Sequence, residues 1–164
     1  MKIFLVITIL VCFVMLGHGI SKYYIERKKF FSELELFMSN LSSHINFGRD
    51  KILEIVSKYN KQNKCNSMNK LCANYATILK EKLSVNQNLV EGITILKKEE
   101  AQMLQNFFST LGKFDIYTQT KEINSYSVKF KEYYKNSSEE CNKYAYLVLK
   151  LALIVGLLVC LLII

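Results

Sequence analysis

Residues 3–16 read IFLVITILVCFVML, and the last fourteen residues, 151–164, read LALIVGLLVCLLII; neither stretch contains a charged side chain. Extended to 3–20 and 144–164, the two stretches are 18 and 21 residues long. As α-helix they measure about 27 and 31 Å, which suffices to cross the roughly 30 Å hydrocarbon core of a bilayer. The sequence therefore predicts a transmembrane helix at each end of the chain.

The chain of 164 residues contains no proline, is 51% hydrophobic and carries a formal net charge of +8. This composition excludes a collagenous or proline-rich disordered chain. Because no proline interrupts a helix, each span can continue into residues 21–143. Apolar residues there recur at the helical spacings of three, four and seven, without the sustained alternation of a strand. We predict an all-α protein: a helical bundle, 21–143, flanked by an N-terminal and a C-terminal transmembrane helix, with the long helices continuous with the spans.

Glycine, asparagine and aspartate positions predict where the helices end. We expect Gly48 to follow the first long helix, and Gly112 to follow a helix that starts at Ile93. The polar run NKQNKCN, residues 60–66, predicts a loop. Asp115 is expected to cap the last long helix, because a carboxylate accepts hydrogen bonds from the free N–H groups of a first helical turn.

Basic residues lie on the inner side of both predicted spans. Lysine and arginine near membrane ends are retained in the cytoplasm, so we expect residues 21–143 to be cytoplasmic and both termini to lie outside. The same charges are attracted to anionic lipid. Lys150 falls inside the second span and reaches the interface through its long side chain. The basic residues expected at the membrane flanks are Lys22, Arg27, Lys28, Lys29 and Lys150.

The N-terminal segment has a second interpretation. Lys2, the short apolar core and the small residues Gly17 and Gly19 also fit a cleaved signal peptide, which would leave a surface protein anchored by its C-terminus. A holin-like membrane protein is a further alternative, since it too has short spans and a basic character. Against it stands the region between the spans, roughly 120 residues long, which is far larger than pore formation needs.

No set of residues indicates catalysis, a cofactor or a metal. The five cysteines are odd in number and irregularly spaced, unlike a disulfide framework. His18 and His44 are the only histidines, and no hydrolase, phosphate-loop or zinc motif is present. The lysines are scattered rather than blocked, so nucleic acid is not expected as a partner. We therefore predict a non-enzymatic protein.

Residues 96–119, LKKEEAQMLQNFFSTLGKFDIYTQ, contain the densest run of signals. On their own they predict a helix, a glycine at its end and an aspartate N-cap, which together make a tight corner between two helices. They also resemble the central motif of the stage III sporulation protein AB family of endospore-forming bacteria. The residues that carry this resemblance are Leu96, Lys97, Lys98, Glu99, Glu100, Phe107, Leu111, Gly112, Asp115 and Gln119.

Two further stretches are similar to the same family. Tyr24 and Arg27, followed by a leucine-periodic helix, match the segment after its first span. The final LALIVG, residues 151–156, matches the start of its second apolar run. The chain departs from the family pattern at His44, which replaces an acidic residue, at Phe47, which replaces a tyrosine, and at residues 50–51, which read Asp-Lys instead of Thr-Pro.

The resemblance implies a protein of the mother-cell membrane facing the forespore, with a cytosolic helical domain similar to that of the platform protein F of type II secretion. It implies a place in the channel assembly that links the two cells. The implied partners are the ATPase stage III sporulation protein AA and other membrane proteins of that complex, and self-association is left open. We hypothesise an adaptor that holds the ATPase at the membrane and transmits its motion through stiff helices.

Two parts of residues 96–119 are the candidate contact surface for such a partner. They are the turn Lys97–Glu100 and the corner Phe107–Asp115, which Gln119 follows. A purely structural role accounts for the same residue types equally well. We interpret the four charges of the turn as a solvated helix face rather than an acid–base site.

Overall fold

The computed structural model describes residues 2–47, 52–62, 65–85 and 87–163, and every regular element in these ranges is helical. The elements are α1 (Lys2–Phe47), α2 (Ile52–Gln62), α3 (Asn66–Glu81), a 3₁₀ turn (Gln87–Val90), α4 (Lys98–Thr110), α5 (Ile116–Glu140), a π-helical segment (Cys141–Ala145) and α6 (Tyr146–Ile163). The predicted all-α class is confirmed. So is the continuity of the long helices with the apolar ends, because α1 is unbroken and α5 continues through the π segment into α6.

Contacts divide the chain into two compact units. We call Met1–Lys28 with Lys135–Ile164 the terminal unit, and Lys29–Tyr134 the central unit. By length and composition, the helices Ile7–Ile45 and Ile116–Leu161 are each able to cross a membrane. The boundaries predicted from the sequence, with spans at 3–20 and 144–164, describe where the chain enters the membrane. Contacts within the protein do not test them, so they stay predictions.

In the terminal unit, α1 and α6 approach each other closely at small residues. A Cβ atom added at Gly17 would lie 2.6 Å from Cβ of Ala152, and one added at Gly156 would lie 3.2 Å from Cβ of Phe13. Small residues allow helix backbones to come this near in membrane proteins. Many other large apolar side chains of the two helices are exposed, among them Phe4, Ile7, Met15, Leu157, Leu158 and Leu161.

The π segment determines which side of α6 meets α1. Glu140 pairs with Arg27, while Ala152 and Gly156 lie against α1 further along the same helical run. At about 100° per residue, an unbroken α-helix would place Ala152 about 120° and Gly156 about 160° around the axis from Glu140. A π turn accommodates one extra residue, so these offsets fall to about 20° and 60°. The π segment thereby brings all three residues to one side.

The central unit is built around apolar side chains from α1 to α5. Along α1 the buried residues recur at spacings of three and four, as predicted for Leu34, Met38 and Leu41. Phe37 stacks on Phe108 of α4, with ring centroids 6.0 Å apart. The buried aromatic side chains of this core are Phe30, Phe31, Phe37, Tyr75, Phe107, Phe108 and Phe130.

The loop predicted at residues 60–66 is wrong at both ends. Helix α2 continues through Gln62, and α3 already begins at Asn66. Polar residues do not end a helix by themselves, since an amphipathic helix continues while its apolar face stays buried. Gly48, the expected end of the first helix, lies outside the described residues.

Candidate functional site

The first turn of α4 is closed by Glu100. The helix begins at Lys98 rather than Ile93. The Lys97 N–H donates to Oε2 of Glu100 at 2.8 Å, which is the acidic half of a capping box. Glu100 is only 4% exposed, so it is not part of a solvated face. That expectation holds for Lys97, Lys98 and Glu99, which are exposed.

The corner between α4 and α5 is organised around Gly112. Its φ of 81° lies in the left-handed region that disfavours side chains. The N–H of Leu111 donates to the carbonyl oxygen of Phe107 at 3.2 Å, which closes the end of α4. The N–H of Gly112 donates to Oε1 of Gln119 at 2.8 Å. Because Gln119 is buried, this hydrogen bond ties the corner to a buried side chain of α5.

Asp115 caps the start of α5 as predicted. Its Oδ2 accepts hydrogen bonds from the N–H groups of Tyr117 at 3.1 Å and Thr118 at 3.2 Å. The hydrogen bonds of Thr118, from its side chain and then from its backbone, lower the pKa of the Asp115 carboxyl, and the Tyr117 N–H adds to the effect. The carboxylate is therefore the form that caps the helix.

The corner is seated on α2. A Cβ atom at Gly112 would lie 2.6 Å from Cδ1 of Ile52, so only a glycine fits without a shift. Phe107 packs perpendicular to Phe130, with ring centroids 5.8 Å apart, and Leu111 is buried beside it in the core. These contacts give Phe107, Leu111 and Gly112 structural roles.

The structure does not bring the two candidate parts together. The turn Lys97–Glu100 and the corner Phe107–Asp115 lie at opposite ends of α4, whose 13 residues span about 20 Å. The candidate residues that are exposed are Lys97, Lys98 and Glu99 at one end and Gly112 and Asp115 at the other. Phe114 adds an apolar side chain, 46% exposed, to the corner.

Beside the corner lies a cleft of about 480 Å³ that the sequence did not indicate. It runs between the end of α3 and the end of α4. Lys82 ends α3 with a φ of 53°, and the N–H of Leu83 donates to the carbonyl oxygen of Ile78 at 3.0 Å. Such helix ends usually carry glycine or asparagine, so a lysine there gave no signal. The cleft is lined by Tyr75, Ile78, Leu79, Lys82, Leu83, Ser84, Val85, Phe108, Ser109, Leu111 and Lys113.

A family model described as stage III sporulation protein AB matches residues 2–164. The chain belongs to the stage III sporulation protein AB family. The resemblance drawn from residues 96–119 is confirmed over essentially the whole chain. The chain matches no curated protein and no solved structure. Its family is one of sporulation proteins and is not a known enzyme family, and its two apolar helices fit a membrane protein.

In this member of the family, Arg27 is a buried ion-pair partner, and its place at a membrane flank stays a prediction. Its side chain is 1% exposed, and its Nε lies 3.4 Å from Oε2 of Glu140, which is 29% exposed. Ser21 and Ser137 are buried polar residues of the same unit. A buried guanidinium requires such a counter-charge, because its desolvation is costly. Since the two partners lie 113 positions apart in the chain, no local pattern could have paired them.

The other basic residues at the predicted membrane flanks are accessible. Lys22 and Lys29 are exposed, and Lys22 forms a surface pair with Glu26 at 4.0 Å. Nζ of Lys28 lies 3.5 Å from Oδ1 of Asn142. Nζ of Lys150 lies 4.6 Å from the ring centroid of Tyr146, a cation–π contact. These lysines remain suited to an anionic lipid surface.

Proposed function

We propose that this sporulation protein is a non-enzymatic membrane component of the channel or secretion-like complex between mother cell and forespore. It sits in the mother-cell membrane facing the forespore, with both termini outside and the central unit in the cytoplasm. There it acts as a platform or adaptor for a cytosolic ATPase of the stage III sporulation protein AA type. Membership of the family supports the sporulation role, and the apolar helices support the membrane location.

The observation that carries the adaptor role is the unbroken helix α1. Its 46 residues measure about 69 Å, and the one helix supplies both an exposed apolar segment and a main wall of the central core. No loop interrupts the connection, so a force applied to the central unit reaches the apolar segment through hydrogen-bonded backbone. A jointed connection would dissipate it.

The same helix supports retention of the N-terminal segment. Cleavage after Gly19 would remove Phe13 and Gly17, which lie against Gly156 and Ala152 of α6. A cleaved surface protein would therefore lose the close packing of its terminal unit. The intact N-terminal peptide is expected in mass spectra of the mature protein, and a chain beginning after Gly19 would contradict the proposal.

A labelling experiment tests the topology. Cys65 and Cys72 are buried, whereas Cys141 is partly accessible, so an exposed Ser125→Cys variant supplies a second reporter. A membrane-impermeant maleimide should label Cys141 and the new cysteine only after the cells are opened. Labelling of both in intact cells would overturn a cytoplasmic central unit.

Co-purification tests the partner. The full chain, extracted in mild detergent from sporulating cells, should carry the stage III sporulation protein AA-type ATPase with it. A variant in which exposed Lys97 and Lys98 are both changed to Glu tests whether the start of α4 contributes to the contact. Absence of the ATPase from the wild-type preparation and from an in-cell crosslinked sample would refute the adaptor role.

A further inference from the structure

We infer that the cleft beside the corner is a docking site for an acidic amphipathic segment of a partner protein, which inserts an apolar side chain and places carboxylates near Lys82 and Lys113. The inference deepens the proposed function and rests on it for the identity of the partner. It names the surface and the chemistry by which an adaptor of this kind holds its ATPase.

The first support is the apolar floor of the cleft. Tyr75, Ile78 and Phe108 form it from two helices, and the hydroxyl of Tyr75 is already used, donating to the carbonyl oxygen of Phe108 at 3.3 Å. The volume of about 480 Å³ falls within the roughly 300–1,000 Å³ of clefts that hold small ligands. A floor of this kind favours an apolar side chain over a polar one.

The second support is exposed apolar surface next to the cleft. Leu83, which lines it, is 48% exposed, and Phe114 follows the lining residue Lys113 in the chain. Burial of such side chains at the centre of an interface stabilises a complex, because apolar surface leaves water.

The third support is the sign of the charge. Lys82 and Lys113 are the charged residues among those that line the cleft, and no carboxylate is found in that lining. Burial raises the pKa of Tyr75, so this phenol stays neutral and adds no negative charge. Two cations in the lining of an apolar cleft complement an apolar segment that carries Asp or Glu.

The fourth support is the backbone at Lys82. Lys82 has a φ of 53°, in the left-handed region, where a residue with a side chain is less stable than glycine. Glycine would end α3 without that cost. Strain of this kind at an exposed position points to a side chain that is used. Here the side chain is a cation at the rim of an apolar cleft.

A protein segment fits these features better than a lipid does. The two lysines come from different elements, the end of α3 and the corner. An amphipathic helix presents apolar and acidic residues side by side on one face, at spacings of three and four, and can meet both lysines around one apolar anchor. A phospholipid carries its charge at one end of its acyl chains.

Binding of the ATPase to the full chain in nanodiscs of neutral lipid tests the inference. The double variant Lys82→Glu, Lys113→Glu should weaken binding at least tenfold, and Lys82→Gly should weaken it about threefold. The matched control is Lys80→Glu, Lys121→Glu, which reverses two exposed lysines outside the cleft and should change binding less than twofold. Because glycine suits the left-handed backbone, Lys82→Gly should leave thermal stability equal or higher, so its loss of binding is not an effect of unfolding.

Equal binding by the wild type and both cleft variants would overturn the cleft inference and leave the adaptor role standing. If the wild-type chain does not bind the ATPase, the proposed partner fails and a photocrosslinker at position 83 in sporulating cells decides about the cleft. An adduct with a protein segment in which Asp or Glu flanks an apolar residue supports the inference. No adduct, an adduct with lipid, or binding to anionic vesicles that the cleft variants abolish would overturn it.

Discussion

The contact between Gly112 and Ile52 makes a quantitative prediction. Gly112 and Gly92 both have positive φ values, 81° and 72°, so alanine at either position incurs the left-handed cost of roughly 1–2 kcal/mol. They differ in their surroundings. A Cβ at Gly112 would lie 2.6 Å from Cδ1 of Ile52, whereas the nearest atom at Gly92 is Nζ of Lys70 at 3.8 Å.

Carbon atoms prefer a separation of about 3.5–4.0 Å, so the alanine at 112 must displace its neighbour by about 1 Å. Overpacking of that kind costs about 1–3 kcal/mol. We therefore expect Gly112→Ala to destabilise the central unit by about 2–5 kcal/mol and Gly92→Ala by about 1–2 kcal/mol. Adding Ile52→Val to Gly112→Ala removes Cδ1 and should recover most of the difference, although Ile52→Val alone costs about 0.5–1.5 kcal/mol.

Cys72 provides the assay in the full chain. It is buried in α3, and burial raises the pKa of its thiol to about 12, so it reacts with a maleimide only when the central unit opens. At about 1.4 kcal/mol per factor of ten, Gly112→Ala should accelerate labelling about 30-fold or more, and Gly92→Ala about 5- to 30-fold. Equal acceleration by the two alanine variants, or no recovery with Ile52→Val, would refute the seating of the corner on α2.

Three further predictions concern the helix pair and the cap. Deletion of Asn142 should leave thermal stability in detergent nearly unchanged, because the π turn becomes α-helix without rotating α6. Deletion of exposed Gly19 should lower the thermal stability, because it moves Leu16 to the position of Gly17, which lies close to α6. Glu140→Leu should destabilise the protein by about 3–5 kcal/mol in denaturant titrations, because it removes the carboxylate that faces a buried guanidinium. Arg27→Met should destabilise it less, because the carboxylate that remains is partly exposed. Since its hydrogen bonds lower the folded-state pKa of Asp115, that carboxylate stabilises the fold above its unfolded pKa of about 3.9 and loses this contribution as the pH falls through the lower folded value. Asp115→Asn keeps a capping side chain and should flatten the decline of the denaturation midpoint below about pH 4, and an unchanged decline would contradict the assignment.

Local rules predicted the corner well and the long-range pairs not at all. The positive φ of Gly112 and the capping by Asp115 depend on the nearest few residues, so residue type sufficed for both. The buried side of α1 followed from spacing in the same way. The position of Arg27 after an apolar run predicts a membrane flank but gives no sign of its ion pair. That pair depends on Glu140, which lies on a different helix.

The π segment shows why even the periodicity of a helix is insufficient here. Residues 151–164 are apolar throughout, so the usual division into apolar and polar sides is missing there. A helical wheel drawn from α5 would continue through 141–145 without interruption. Such a wheel is wrong by about 100° for every residue beyond the π turn. The contacts with α1 show this offset: Ala152 packs against the small residue Gly17, and Glu140 pairs with the buried Arg27. In a regular α-helix, Glu140 and Ala152 would lie on different sides and could not both face α1. Because the π turn contains one extra residue, the helix makes both the charged contact with Arg27 and the apolar contact with Gly17.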